Sequence, residues 1–301
     1  ANLDDDNANF VKEIYKKYLN REPDEEGFQS YLNKLEMGEL SQEKLEEVFK
    51  NCTEYKLNKI MQDTKNFPLI SKTLLKLGIK ADLSKKDNEV IDFVRPYSMT
   101  FPNTIFSLIE CVKYVIKQNV KGDIVECGVW HGGSILTIIK TLLNLKSFER
   151  ALFLFDTFEG WPEKTEFDIF NEESDYDFGD IPAMGIGQSK IPTLEQVKKL
   201  LYSTEYPKEK IHFIKGMVQN TLLEHAPNTI SILRLDTDYY ESTKSELVHL
   251  LPRLSVGGIL IVDDYDTFQG QRKAVDEYFL KHNISWTLHK IERGVRIAVK
   301  N

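Results

Sequence analysis

At 301 residues with 41% hydrophobic side chains, the chain is long enough for about two domains, each with a core of its own. A formal net charge of -8 without any Lys/Arg block removes the electrostatic footprint of a nucleic-acid binder, and no run of ~18 apolar residues reads as a membrane span. The polar, acidic start ANLDDDNANF does not read as a signal peptide, and Cys52, Cys111 and Cys127 are odd in number without CxxC spacing, so a reduced, cytoplasmic protein is expected.

Residues 1–62 read as a small all-helical domain. NFVKEIYKKYL sets Phe10, Val11, Ile14, Tyr15, Tyr18 and Leu19 at the three-and-four spacing of an amphipathic helix. EPDEEG turns the chain, FQSYLNKLEMG stops at Gly38 where a helix C-cap belongs, and Ser41 followed by Glu43 and Glu46 opens a third helix. Residues 63–90 read as a connector, with the charged, helix-averse ADLSKKDNE as its hinge or exposed link.

From 91 to 301 strand-like and helix-like runs alternate: DIVECGV, SILTIIKTLLNL, ALFLFDTF, EQVKKLLYS, IHFIKGM, SILRLDTD, STKSELVHLL, GGILIVDDY, QRKAVDEYFLKH, WTLHKI and VRIAVK. That order predicts an α/β domain whose mostly parallel sheet carries helices on both faces. Such sheets collect ligands at the carboxyl ends of their strands. The acidic, aromatic stretch 163–188 is longer than an ordinary connection and reads as a lid.

Two strand ends carry acid. LRLDTD ends in Asp236 and Asp238, and GGILIVDDY ends in Asp263 and Asp264. Residues 237 to 262 leave room for one helix between them, the size of a crossover joining two parallel strands. Their acidic tips then share one edge, where three close carboxylates repel and raise one another's pKa unless a cation sits among them. Oxygen-only ligands suit a hard ion such as Mg²⁺, so Asp236, Asp263 and Asp264 are the candidate metal ligands. Asp238 or Ser242 is expected to cap the helix near Glu241, and Asp266 or Thr267 the one near Gln271.

The first strand runs into DIVECGVWHGGSI, with Glu126, Gly128, Gly132 and Gly133 across a strand-to-helix turn. The GxGxxG of a dinucleotide site is absent. The pattern E-x-G-x-x-x-G instead resembles the cofactor loop of class I S-adenosylmethionine-dependent methyltransferases, where a carboxylate can face a cationic amino-acid end and glycines let the backbone approach a ligand. Asp156, ending ALFLFD, offers two acceptor oxygens to paired ribose hydroxyls. His131 and Cys127 read as a loop residue and an inert buried thiol.

Together, DIVECGVWHGGS, LFLFDTFEGW, LRLDTDYYESTK, LPRLSVGGILIVDDY and GQRKAVDEY resemble the macrocin-type O-methyltransferases from about Arg95 to the C-terminus. The resemblance implies a class I methyltransferase (Rossmann-like) fold, a mostly parallel seven-stranded sheet preceded here by a small all-α domain. It implies S-adenosylmethionine as methyl donor and Mg²⁺ as the metal. Carried over, the metal aspartates fall on Asp236, Asp263 and Asp264, with Asp236 also the general base. The cofactor contacts fall on Glu126, Gly128, Gly132, Ser134, Asp156, Thr157 and Phe158. Tyr97, Met99 and Thr100, in RPYSMT, fall in the cofactor and substrate cover. The N-terminal pattern FVKEIYKKYLNREPDEEGFQSYLNKL resembles a short helical domain of unknown function from bacterial surface and glycan-related proteins.

The expected reaction is Mg²⁺-dependent methyl transfer to a sugar hydroxyl of a glycan, an oligosaccharide precursor or a glycosylated metabolite, with a surface glycan first. The rivals are a catechol-type O-methyltransferase, a nicotinamide-dependent oxidoreductase and a non-enzymatic surface or scaffold module. No nucleic-acid partner and no membrane span are expected, and a dimer or tetramer is left open.

Overall fold

The computed structural model describes residues 3–19, 21–52, 55, 66–171 and 191–301, which fall into two compact units, one on each side of residues 56–65.

The first unit holds α1 (Leu3–Ile14), α2 (Glu25–Glu36) and α3 (Gln42–Asn51). Val11, Ile14, Tyr15, Tyr18 and Leu19, the stripe legible in the sequence, bury against Leu35, Leu45 and Phe49. Asp24 caps α2 by accepting from the Gly27 amide at 2.8 Å. After Met37 the chain turns at Gly38, φ 71°, a left-handed position that glycine takes without strain. Ser41 caps α3 by accepting from the Lys44 amide.

The second unit is a seven-stranded sheet in the order β3-β2-β1-β4-β5-β7-β6. Its strands are β1 (Asp123–Cys127), β2 (Leu152–Asp156), β3 (Ile211–Lys215), β4 (Ile230–Leu235), β5 (Leu254–Val262), β6 (His289–Glu292) and β7 (Val295–Val299). The first five are parallel; β7 is antiparallel to both β5 and β6. Strand order reverses at β1, which pairs with β2 on one side and β4 on the other, and such a switch opens a crevice at the strands' carboxyl ends.

Strand residues alternate between two cores, as the pleat requires. Ile124, Ile232, Ile259 and Ile261 pack with α4 (Phe67–Lys76), α5 (Lys85–Val94), α6 (Pro102–Lys117), α7 (Gly133–Asn144) and α8 (Leu194–Tyr202). Val125, Leu233, Leu235, Leu260 and Val262 pack with α9 (Val218–His225), α10 (Tyr240–Leu250) and α11 (Gln269–Lys281). Central strands are therefore buried on both faces, and any charged side chain on one needs a partner.

The expected connector is corrected from residue 66 onward. Ile70, Leu74 and Ile79 are buried in the first of these cores, and each full burial contributes ~2 kcal/mol, enough to outweigh a charged local sequence. ADLSKKDNE is a helix start rather than a hinge: Ser84 and Asp87 form a capping box at α5, and Lys113 pairs with Asp87 and Glu110 at 2.7 Å each.

Of the expected lid, residues 172–188 lie outside the described residues, whereas its beginning is tied down. The Asn171 amide donates to Thr267 O, the Gln269 amide donates to Ile169 O, and Phe170 bridges to Phe268. No helix among the described residues is long and apolar enough to cross a membrane.

Candidate active site at the strand ends

Arg234 sits in β4 directly across from Glu126 of β1 and is 3% exposed. Alternation puts Arg234 on the face of Ile232 and Glu126 on that of Ile124, so a guanidinium and a carboxylate meet inside the sheet. One Arg234 nitrogen, Nη1, donates to Glu126 Oε1 at 2.5 Å and to Asp236 Oδ2 at 2.6 Å; Nη2 donates to Asp263 Oδ1 at 2.7 Å. A planar fork with several donors can serve three acids at once, which a lysine cannot. The sequence reading missed this residue. Its signal was an arginine inside an apolar run that belongs to a doubly covered strand.

The acids beyond the strand ends are grouped differently from expectation. Asp236, Asp238 and Asp264 each bring a carboxylate oxygen within 4.8 Å of the others, whereas Asp263 lies on Arg234. Asp264 lies beside both Asp238 and Asp236, close enough for the carboxyl groups to interact. Contact between carboxyl groups needs shared protons or a cation. Burial first, then mutual charge, pushes Asp236 and Asp264 well above the usual carboxylate range and Asp238 up to about 7. Opposite ligands of a six-coordinate ion with ~2.1 Å bonds stand ~4.2 Å apart, so oxygens that lie within 4.8 Å of one another form a donor set that fits Mg²⁺. Asp236 and Asp264 are part-exposed and open the cluster to a ligand.

The expected capping roles are corrected. Asp238 stands at φ 66° just before α10, whose N-cap is Tyr239 without a side-chain hydrogen bond. Its Oδ2 accepts instead from Trp161 Nε1 at 2.7 Å. Ser242 lies inside α10. The acid that meets that helix start is Asp168, 4% exposed, whose Oδ1 accepts from the Tyr240 amide at 2.7 Å. At α11 the N-cap is Phe268, again without a side-chain bond, and Asp266 pairs with Arg296 at 2.9 Å. Thr267 Oγ1 is buried without a partner among the described residues. Gln271 Oε1 accepts from the Asp264 amide at 2.7 Å and so fixes the turn that carries the cluster.

Facing these acids across the switch is the loop from β1 to α7. Gly128, at φ 83°, passes so close to β4 that a Cβ there would collide with the Asp236 carbonyl oxygen. Gly132, at φ 85°, is the left-handed N-cap of α7. A Cβ on Gly133 would strike Tyr97 O and Ser98, so the segment carrying Tyr97, Met99 and Thr100 lies on the start of α7. Thr100 donates its amide to Ser98 Oγ at 3.0 Å. Gly128 and Gly133 serve close backbone approach within the protein, and Ser134 is buried just behind them.

Asp156, at the tip of β2, is largely committed to backbone. Its Oδ2 accepts from the amides of Val129 at 2.6 Å and Trp130 at 3.1 Å, and its Oδ1 from that of Phe158 at 2.7 Å. A carboxylate has about four lone-pair sites, which leaves one for a ribose hydroxyl rather than two. Phe158 is 5% exposed and packs in the core, and Thr157 Oγ1 donates to Gly160 O at 2.6 Å; these two build the turn after β2. Glu126 retains a free acceptor. Its Oε2 is buried with no partner among the described residues, and burial, only partly offset by Arg234, pushes the group up to about 7. That oxygen fits a cationic or hydroxyl donor from a ligand in the loop.

Behind the cluster, Glu246 of α10 is fully buried, accepts from Thr237 Oγ1 at 2.8 Å and lies against the Cys127 thiol. Burial pushes it up to about 8. In the unfolded chain the same group ionises near 4.5, so between those values the folded protein holds one more proton and loses stability as pH rises. Glu246→Gln keeps the shape without the proton. Its stability relative to the parent protein should therefore rise by about 4 kcal/mol from pH ~4.5 to pH ~8, read from urea midpoints along a pH series. A constant difference across that range would mean that Glu246 is ionised in the fold.

Comparison with known proteins agrees with this fold. The family model described as Macrocin-O-methyltransferase (TylF) matches residues 29–297, starting well before Arg95, where the sequence resemblance was placed. The demethyldecarbamoylnovobiocin O-methyltransferase of Streptomyces niveus is 30% identical over 223 residues, 71% of this chain and 83% of that protein. An 8-demethyl-8-(2,3-dimethoxy-alpha-L-rhamnosyl)-tetracenomycin-C 4'-O-methyltransferase of Streptomyces olivaceus is 32% identical over 184 residues, 60% of this chain and 67% of that protein. The solved structure of the O-methyltransferase NovP superimposes with a TM-score of 0.58 at 31% identity, covering 68% of this chain and 82% of that one.

Proposed function

Because the chain belongs to the macrocin O-methyltransferase family, we propose that it transfers the methyl group of S-adenosylmethionine to a hydroxyl of a sugar, on a glycan or a glycosylated metabolite, using a divalent cation of the Mg²⁺ type. The observation that carries this reading is the meeting, at adjacent parallel strand ends, of the glycine loop after β1 with the carboxylates of Asp236, Asp238 and Asp264. A relative that acts on a rhamnosyl group supports a sugar as acceptor. The absence of GxGxxG in the β1 loop speaks against a nicotinamide cofactor.

In this reading Glu126 takes the amino-acid end of the methyl donor through its free Oε2. Gly128, Gly132 and Ser134 line the loop, Asp156 braces it and offers one oxygen to the ribose, and Thr157 and Phe158 shape the adjoining turn. Tyr97, Met99 and Thr100 cover the donor. A divalent ion held by Asp236 and Asp264, with Asp238 in the position expected of Asp263, would lower the pKa of an acceptor hydroxyl and fix its orientation. Asp236 then takes the hydroxyl proton as the oxygen attacks the sulfonium methyl. Arg234 keeps that carboxylate aligned and compensates Asp263 and Glu126. We also propose that the helical unit is a separate module and that the transferase domain begins near residue 65, upstream of residue 91.

The test is to incubate the protein with methyl-labelled S-adenosylmethionine, Mg²⁺ and a panel of sugar nucleotides, glycans, glycosylated metabolites and catechols. Label on a sugar supports the proposal; label confined to the planar diols would replace it with the catechol reading.

A further inference from the structure

Trp161 is large, apolar and 54% exposed, yet it is not a loose surface residue. Its Nε1 donates to Asp238 Oδ2 at 2.7 Å, and Asp238 is one of the three acids that converge at the strand ends. The turn leading to it is built as well: the Thr157 hydroxyl donates to Gly160 O, the Glu159 amide donates back to Thr157 Oγ1 at 3.2 Å, and Gly160 sits at φ 99°. The hydrogen bond fixes the indole's place while more than half of the residue stays exposed, so an apolar side chain is held open beside converging polar groups, the combination that ligand sites use.

We infer that the exposed indole of Trp161 is the stacking platform for the acceptor sugar ring, held beside the acidic cluster by its hydrogen bond to Asp238. The inference rests on the methyl transfer to sugar proposed above and adds the residue that seats the acceptor. A pyranose has an apolar C–H face and a rim of hydroxyls. Packed on the indole, it turns that rim toward the cluster one hydrogen bond away, so apolar contact and polar recognition act on different parts of one ring. A carboxylate cluster alone gives no such choice, because it would accept any pair of hydroxyls in any ring orientation.

The experiment compares the parent protein, Trp161→Phe and Trp161→Ala on the labelled acceptor panel, with cofactor affinity measured by calorimetry for each. The platform predicts that Trp161→Ala raises the acceptor KM about tenfold or more, that Trp161→Phe, which keeps a ring but loses the bond to Asp238, raises it by a clearly smaller factor, and that cofactor affinity is unchanged in both. If both variants lose kcat equally at an unchanged acceptor KM, Trp161 only holds Asp238 and the platform is overturned. An unchanged KM in Trp161→Ala overturns it too, while sugar methylation by the parent protein leaves the proposed function standing. A parent protein that methylates none of the sugars overturns both.

Discussion

Replacing Asp236 by Ala is expected to lower methyl transfer by at least about a thousandfold, because one side chain is asked to hold the cation, align the acceptor and take its proton. Cofactor affinity should stay within about threefold, since the proposed donor site uses the β1 loop and the tip of β2. The fold should survive, because Arg234 keeps Glu126 and Asp263 as partners. Turnover with labelled S-adenosylmethionine, paired with calorimetric titration of the cofactor, separates the two effects. Full activity in the variant would remove Asp236 from the chemistry, and loss of cofactor binding would make its role structural.

The second large effect is on stability. Arg234→Met keeps the length and the apolar stem but strands Glu126, Asp236 and Asp263 around a position that is 3% exposed. Breaking a buried ion network by removing one member costs ~3–5 kcal/mol, since the acids left behind are uncompensated. Arg234→Lys should recover only part of this, because one ammonium cannot reach three carboxylates from two fork ends. Urea denaturation at neutral pH reads the cost. A midpoint equal to that of the parent protein in Arg234→Met would show that the acids are protonated and need no cation at their centre. In that case the variant should instead lose stability as pH rises and those protons leave.

Arg234 also shows where the sequence stops being legible. The alternation of runs was enough for the parallel sheet and its order of elements, and apolar strands that end in acid pointed to the candidate site at their carboxyl ends. The arginine lay in the same quoted stretch, LRLDTD, but its meaning depends on β4 being covered on both faces, a property of the assembled sheet. The identity of the converging acids has a similar cause. Neighbouring residues on a strand point to opposite faces, and that alternation parts Asp263 from Asp264, which the sequence places together as metal ligands. Asp263 follows Ile261 toward Arg234, whereas Asp264, past the end of β5, turns to Asp236 and Asp238. Asp238 was read as a cap because an acid before a helix usually is one; its left-handed backbone aims it elsewhere, and Asp168, from a loop 72 residues away in sequence, meets the helix start. The start of α5 was misread for the opposite reason. Its signal was local, a serine three residues before an aspartate, but it was hidden in a stretch whose charge looked like a linker.

The central claim, that the carboxylates at the ends of β4 and β5 work by holding a divalent ion for methyl transfer, is tested most directly by chelation. The protein is stripped with EDTA and assayed with labelled S-adenosylmethionine and the best sugar acceptor as Mg²⁺ is added back. The account predicts that transfer falls to background without metal, returns in a saturable manner with it, and does not return in Asp236→Ala. Undiminished transfer in excess EDTA would contradict it.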